Sequence, residues 1–135
     1  MYKIIGELES LGDSGEAISR ILSRKNIHRK MFDASTIKKL EDMADAVDSA
    51  YGAMMENLEA AHRGTLSDIS NAYNAEERIN NLRNNLRDAE IEDIEDGVKN
   101  YQTSVYYMDV VNEFERMGDF IINVSQDLKR AFVEK

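Results

Sequence analysis

A five-residue motif occurs twice, near the two ends of the chain, and constrains the fold more than any other feature. The first copy is Glu9-Ser-Leu-Gly-Asp13, and the second, 106 residues later, is Glu115-Arg-Met-Gly-Asp119. Apolar residues recur at the same offset, three and four residues apart, as on one face of a helix. The aligned apolar pairs are Leu8 with Phe114, Leu11 with Met117, Ile18 with Val124 and Leu22 with Leu128. The repeat therefore predicts two long helices built on one plan.

Turn-forming residues are scarce, which also favours long helices. The 135 residues include no proline and only seven glycines, whereas a sheet protein of this length would need more turn residues. The length suits one domain with a hydrophobic core. Short breaks between long amphipathic segments imply antiparallel neighbours. We therefore predict an all-α fold, an antiparallel up-down bundle of four helices.

The helix boundaries follow from capping residues and glycines. The first segment runs from about Tyr2 to Lys30, and the fourth from about Val98 to Phe132. The start and stop signals between them are Asp33, Ser35 and Thr36 for the start of the second helix, Gly64 for its end, Thr65-Leu-Ser-Asp68 as a capping box for the third, and Asp96-Gly97 for the third helix's end.

Apolar stripes along these segments predict the core. The predicted stripes are Ile4, Leu8, Leu11, Gly15, Ile18 and Leu22 in the first helix; Ile37, Leu40, Ala44, Val47, Tyr51, Met54, Leu58 and Ala61 in the second; Ile69, Ala72, Ile79, Leu82, Leu86 and Ala89 in the third; and Tyr107, Val111, Phe114, Gly118, Ile121, Ser125, Leu128 and Phe132 in the fourth.

The motif also suggests how one domain, 1–135, is organised. Its copies fall in the first and last helices, so residues 36–134 are predicted to form one three-helix repeat unit that ends in the motif. Residues 1–32 then correspond to the end of a preceding repeat unit. We expect the chain to be a piece of a longer protein, with a natural start at Met1 as the alternative.

Charge and composition exclude some functions. A net charge of −9 opposes nucleic-acid binding, which needs concentrated lysine and arginine. The chain has no cysteine, hence no disulfide framework or thiolate metal site, and this favours a cytosolic compartment. No apolar run approaches about 20 residues and no signal-peptide pattern opens the chain.

The motif acids are candidate metal ligands. Glutamate and aspartate four residues apart lie on one helix face about 6 Å from each other, where their charges repel unless a cation or donor lies between them. Oxygen ligands suit Mg, Ca, Mn or Fe. The predicted ligands are Glu9, Asp13, Glu115 and Asp119, with Glu41, Asp45 and Asp48 of the second helix as candidates to complete the site. The alternative is a solvated face with ordinary ion pairs.

The motif glycines lower helix stability, so another interaction should offset their cost. Glycine in a helix interior costs about 1 kcal/mol relative to alanine. Gly12 and Gly118 are therefore expected either to allow close approach of a neighbouring helix, with the first and last helices packed together, or to leave room for a ligand beside the acids.

The sequence supports no catalytic arrangement. Glu59-Ala-Ala-His62 has the Glu-x-x-His spacing of di-iron carboxylate bundles, but those need two copies. His62 lies at a predicted helix end, where it can stabilise terminal carbonyls, and His28 has no partner at ligand spacing. We therefore predict a protein that is not an enzyme, with a carboxylate-bridged metal enzyme as the least favoured alternative.

These residues resemble a known family. Glu115-Arg-Met-Gly-Asp119-Phe-Ile-Ile-Asn123-Val resembles the Glu-Arg-Ile-Gly-Asp-His-Ala-x-Asn-Ile signature of PhoU-type phosphate-transport regulators. The stretch 77–87 is similar to the helix that precedes this signature in the PhoU-like cytosolic domain of bacterial sodium/phosphate cotransporter family proteins. Glu7-Leu-Glu-Ser-Leu-Gly-Asp13 is similar to the end of the previous repeat, so the resemblance covers nearly the whole chain.

The resemblance implies spectrin-like three-helix units and a regulatory domain that modulates phosphate uptake without catalysis. The implied partner is the transmembrane part of the same parent protein or a phosphate-transport complex, at the inner face of the membrane in the cytoplasm, and a homo-oligomer is an open alternative. A stand-alone adaptor acting on an ABC transporter or a sensor kinase is the second interpretation. Some members carry metal ions, including iron clusters, at acidic motifs that correspond to the four motif acids. This sequence departs from the family pattern at three positions. Phe120 replaces the usual histidine after the motif aspartate, and Glu90 stands where the cotransporter-linked group commonly has histidine. Ala17 replaces the asparagine that the second copy retains as Asn123.

Overall fold

The computed structural model describes residues 2–97 and 100–134, which form four α-helices. The helices are α1 (Tyr2–Ile27), α2 (Ala34–Arg63), α3 (Ser70–Glu95) and α4 (Tyr101–Phe132). No strand occurs within these two ranges. The prediction of an all-α fold is therefore confirmed, and most boundaries fall within three residues of those expected.

Predicted capping residues define both ends of α2. The Asp33 side chain accepts a hydrogen bond from the Thr36 backbone N–H at 2.7 Å, which satisfies one of the free donors of the first turn. Gly64 ends the helix in the left-handed region, with φ of 72°, and its N–H donates to the Ala60 and Ala61 carbonyls. Glycine adopts this conformation without steric cost.

The start of α3 differs from the prediction. Residues 65–69 are not helical, so Thr65 does not cap a helix and the proposed capping box is wrong. Instead Asp68 accepts hydrogen bonds from the Ser70 N–H at 3.0 Å and the Ser70 hydroxyl at 2.7 Å. This short-range pairing competes with a capping arrangement. The helix ends before Asp96-Gly97, as predicted, with Gly97 at φ 72°.

Asn100 caps α4 by accepting a hydrogen bond from the Thr103 N–H at 3.2 Å. The predicted start of this helix, Val98, lies outside the described residues. No helix in the ranges 2–97 and 100–134 has a stretch long and apolar enough to cross a membrane.

Contacts between side chains fix the order of the helices. On the α1–α4 seam, Glu7 accepts a hydrogen bond from the Asn123 side chain at 3.3 Å, and His28 stacks on Tyr106 at the opposite end of the same seam. These two contacts show that α1 runs antiparallel to α4. Likewise Ser104, at the start of α4, bonds to Glu90, near the end of α3. The helices therefore alternate in direction.

The four helices do not share one central core equally. Helices α2, α3 and α4 all pack against one another, whereas α1 packs against α4 alone: no Cα atom of α1 lies within 8 Å of α2 or α3 among the described residues. The predicted contact between the first and last helices is confirmed. The arrangement is a three-helix bundle with a fourth helix added to its last member.

This arrangement changes which residues are buried in α1. Of the predicted stripe, Ile4 is buried, but Leu8 is 39% exposed and Gly15 is exposed, so their predicted burial is wrong. Ser14 and Ile21 are buried instead. The reason is that α1 has one neighbour, so only the narrow face toward α4 is covered. The predicted apolar stripe of α1 is wide enough to pack between two neighbouring helices, so a single neighbour leaves part of it exposed.

The core faces of α2 and α4 are also informative. In α2 the predicted Ile37 and Tyr51 are exposed, because the buried face is rotated toward Met43, Ala46 and Ala50. The buried residues of α4 match the prediction more closely, although Phe132 is 45% exposed. Those buried in α4 include Tyr107, Val111, Gly118, Ile121, Ser125 and Leu128. The match follows from α4 having three neighbours.

Candidate functional site

The second motif copy, on α4, lies against α3. Gly118 is buried, and a Cβ added there would lie 3.0 Å from Ile79 Cδ1 and 3.4 Å from Ile79 Cγ2. Any side chain at this position would therefore push against a residue that is itself only 1% exposed. The expectation that Gly118 allows close approach of a helix is confirmed, but the expectation that this contact lies between the first and last helices is wrong, because the approaching helix is α3.

One turn before Gly118, the motif glutamate forms an ion pair with the same helix. The Arg83 guanidinium of α3 donates to the Glu115 carboxylate, and both side chains are mostly covered, at 19% and 23% exposure. Arg83 lies four residues after Ile79, so the two residues lie on one face of α3. The motif glycine and glutamate thus form two adjacent contacts with a single partner helix.

The motif aspartate lies at the edge of this contact. Desolvation raises the pKa of Asp119, and the Glu115 charge raises it further, while Arg83 and Arg116 act in the opposite direction. Desolvation also raises the pKa of Glu76 on α3, and the charge of Asp119 adds to the effect. The edge of the α3–α4 contact is therefore an acidic region that Arg83 neutralises only in part.

The first motif copy, on α1, has different surroundings. Glu9, Gly12 and Asp13 are all exposed, and a Cβ added at Gly12 would meet nothing within 4 Å. The expectation that Gly12 allows close helix packing is wrong in this structure, because α1 turns another face to α4. Asp13 lines a polar pocket on the α1–α4 seam with Arg20 and Arg116.

The predicted metal ligands are spread over several surfaces. Glu115 pairs with Arg83, Glu9 and Asp13 lie on the exposed surface of α1, and Asp119 lies beside α3. The candidates to complete the site, Glu41, Asp45 and Asp48, are exposed on α2. Across residues 2–97 and 100–134, no three or more histidine, aspartate or glutamate side chains are grouped so that they could hold a metal ion. Metal binding stays a prediction.

The histidines form ordinary surface contacts. Glu59 pairs with Arg63 at 3.5 Å, and His62 beside them is exposed. The rings of His28 and Tyr106 are stacked, with centroids 6.4 Å apart and planes inclined by 22°. Neither histidine is part of a metal-binding group in the described part of the chain.

An apolar groove opens between α1 and α2. Its volume is about 580 Å³, and its floor is formed by α4. The walls and floor are lined by Leu8, Leu11, Gly12, Gly15, Ala44, Val47, Asp48, Tyr51, Phe114, Met117 and Ile121. Leu8 and Tyr51 remain 39% and 44% exposed at its edges. The groove exists because α1 and α2 both pack on α4 but stay apart from each other. We call it the α1–α2 groove.

Two residues of the α3–α4 contact were not identified from the sequence. Arg83 is the partner of the motif glutamate; its position four residues after Ile79 places it on the core side of α3 but does not identify Glu115 as its partner. Glu90 is 1% exposed and accepts a hydrogen bond from the Ser104 hydroxyl at 2.6 Å. Its acidic surroundings, Glu90 to Asp96, predict a solvated helix end, so burial of this one carboxyl had no sequence signal.

Comparison with protein-family models, with curated proteins and with solved structures found no match. The structure defines the class of the protein as an all-helical bundle that carries the motif twice. The copy on α4 contacts α3, and the copy on α1 is exposed.

Proposed function

We propose that the chain is a non-catalytic regulatory domain of a sodium-dependent phosphate transporter, PhoU-like in kind, that acts through contacts with a helical partner. The observation that carries the contact function is the α1–α2 groove. Apolar side chains line it from three helices, and two large ones, Leu8 and Tyr51, stay well exposed at its rim. Apolar surface concentrated in a concave site is typical of docking surfaces.

The phosphate-transport part of the proposal rests on the sequence resemblance. The motif acids and glycine occupy equivalent positions on α1 and α4, as the resemblance implies for repeated three-helix units. We propose a location at the cytoplasmic face of the membrane, with the transmembrane part of the parent protein as partner. Metal ions on the motif carboxylates belong to the same proposal.

The mechanism requires a difference in affinity for two states. A domain that docks on one conformation of a transporter more tightly than on another shifts the transporter toward the preferred conformation, and only by the difference in binding free energy. A preference of about 1.4 kcal/mol changes the ratio of the two states tenfold. A few apolar side chains buried in one state alone supply this amount, at roughly 1.5–3 kcal/mol each.

The test is phosphate uptake by the parent protein at equal membrane abundance. Deleting the domain should leave membrane insertion intact and change uptake or its response to phosphate supply. The double variant Leu8→Asp with Tyr51→Asp should reproduce this change, because both side chains lie on the groove rim and their replacement spares the core. Tyr101→Asp is the matched control: Tyr101 is 69% exposed and lies outside the groove.

Indistinguishable uptake curves with and without the domain would contradict the regulatory proposal. The gene upstream of this segment gives a second test. A run of apolar spans there supports the transporter domain, while a complete soluble unit without such spans would overturn it in favour of the adaptor.

A further inference from the structure

The two motif copies occupy unequal environments, although they share one pattern. On α4, Gly118 lies under Ile79 and Glu115 binds Arg83, so the motif contacts a helix. On α1, the equivalent Gly12 and Glu9 are exposed. The same side of the motif is covered in one copy and open in the other.

The difference extends along the helix beyond the motif. Val111 of α4 is fully buried, while Ile5, its equivalent at the 106-residue offset, is 48% exposed. Asn112 of α4 accepts a hydrogen bond from Arg87 of α3 at 3.0 Å, and its equivalent Gly6 has open space around it. Gly118, Glu115 and Asn112, which contact Ile79, Arg83 and Arg87 of α3, therefore all have exposed counterparts on α1.

We propose that this open side of α1 binds a second helix in the way that α4 binds α3. We call it the α1 motif face and define it as Ile5, Leu8, Glu9 and Gly12. The partner is an amphipathic helix with a branched aliphatic residue four positions before an arginine. The aliphatic side chain packs over Gly12 and the arginine pairs with Glu9, as Ile79 and Arg83 do with Gly118 and Glu115.

Charge complementarity favours this partner over a second copy of the chain. Glu9 is the charged residue of the α1 motif face and is exposed, so the face carries a negative charge, which attracts a basic helix. Two copies of a chain with net charge −9 would bring like charges together. The partner is therefore a basic amphipathic helix from outside this bundle.

The inference deepens the proposed function, because it names the kind of partner for the same side of the molecule, and it rests on that side being a docking surface. It does not depend on phosphate transport. A binding experiment on the purified chain therefore tests it separately from uptake.

The probe is a labelled peptide with the sequence of residues 70–87 of α3, which keeps Ile79 and Arg83 and has three arginines against two glutamates. It is titrated with the full chain and followed by fluorescence anisotropy. We expect saturable one-to-one binding. Glu9→Arg and Gly12→Leu should each weaken it at least tenfold, because one reverses the charge and the other fills the space above the glycine. Both residues are exposed, so the variants should fold. Met31→Ala, at a residue 83% exposed outside the face, should bind as the wild type does.

A charge exchange makes the test specific. The peptide carrying Arg83→Glu should bind the wild-type chain poorly and bind the Glu9→Arg variant better. Failure of this rescue, or no binding of the wild-type peptide, would overturn the inference. So would binding that is lost in Glu115→Gln but unaffected by Glu9→Arg, since the peptide would then be replacing α3 on α4.

Sedimentation of the chain alone completes the experiment. A dimer that dissociates in the Gly12→Leu variant would show a second copy on the face and would overturn the choice of a basic partner. A monomer supports it. Peptide binding together with unchanged phosphate uptake would uphold the docking inference and remove only the phosphate-regulation proposal.

Discussion

Leucine placed at the two motif glycines should have opposite effects on stability. Gly118→Leu inserts a side chain where Ile79 Cδ1 already lies 3.0 Å from the position of an added Cβ. Gly12→Leu inserts the same side chain into open space. The two substitutions are chemically identical and lie at equivalent positions of one repeat, so each is the natural control for the other.

The magnitude follows from two terms. Both variants gain helix propensity, about 0.8 kcal/mol for leucine over glycine. Only Gly118→Leu overpacks a core contact, which typically costs about 1–3 kcal/mol. The propensity gain cancels in the comparison, so Gly118→Leu should be less stable than Gly12→Leu by about 1–3 kcal/mol. Relative to the wild type, Gly12→Leu should be more stable.

Urea unfolding followed by far-ultraviolet circular dichroism measures these differences, because nearly all described residues are helical and the signal reports the whole bundle. For a domain of this length, each kcal/mol should shift the midpoint of thermal unfolding by about 3–5 °C. Gly118→Ala adds an intermediate case, since its single methyl group requires Ile79 to move by only a few tenths of an ångström.

Equal stability of the two leucine variants would refute the reasoning. It would mean that α3 moves away from Gly118 without cost, so that the glycine is not required for the α3–α4 contact. A destabilised Gly12→Leu variant would contradict the placement of Gly12 on an open face.

Three further predictions concern polar residues. Asn57→Ala should lower the free energy of unfolding by about 1–3 kcal/mol, measured by urea unfolding, because it removes the buried hydrogen bonds of the Asn57 side chain to Ser125 (3.0 Å) and Asn71 (3.1 Å). Folding raises the pKa of Asp119, so its ionised form opposes folding: Asp119→Asn should be more stable than the wild type at neutral pH, and this advantage should shrink as the pH falls through the raised pKa in parallel unfolding titrations. Binding of Mn²⁺ or Mg²⁺ by the motif acids should raise the melting temperature, and Glu115→Gln with Asp119→Asn should abolish the rise; a wild type indifferent to both ions contradicts the metal prediction.

The sequence was sufficient to predict the helices, because helix formation depends on local signals. Capping by Asp33, termination at Gly64 and the break at Gly97 all follow from the preferences of single residues, and each is confirmed. The start of α3 was placed too early because Asp68 bonds to Ser70 rather than capping a turn. Two neighbouring polar residues can form either arrangement, and the pattern alone does not decide between them.

The packing of α1 was harder to predict than its helical conformation. Periodicity shows that Leu8 and Gly15 share a face with Ile4, but it cannot show how many neighbours the helix has. A helix with two neighbours buries a wide stripe, whereas α1 has one and buries Ser14 and Ile21 instead. The error in placing Gly12 has the same origin, since the motif repeats the residues but not the surroundings.

The candidate site was predicted in part. The motif marked Glu115 and Gly118 as special, and both contact α3. Ile79 was predicted correctly as a core residue of α3. Its contact with Gly118 and the pairing of Arg83 with Glu115 were missed, because a pairing between helices more than 30 residues apart leaves no trace in local periodicity. The ion pair also offers an explanation for the motif glutamate that needs no metal ion, since the Arg83 guanidinium pairs with the Glu115 carboxylate.

The unequal use of the motif has a consequence for the dynamics of α1. Gly6, Gly12 and Gly15 all lie in this helix and face open space, and each costs about 1 kcal/mol relative to alanine, roughly 3 kcal/mol together. Packing against α4 alone must offset this cost. We therefore expect α1 to open locally at a lower free energy than α2, α3 or α4, and native-state amide hydrogen exchange measures this directly.

Binding of the α3-sequence peptide to the α1 motif face should slow exchange in α1 more than elsewhere, because a second neighbour would add packing where the glycines weaken the helix. Uniform exchange across the four helices would contradict this account, and so would peptide protection confined to α4.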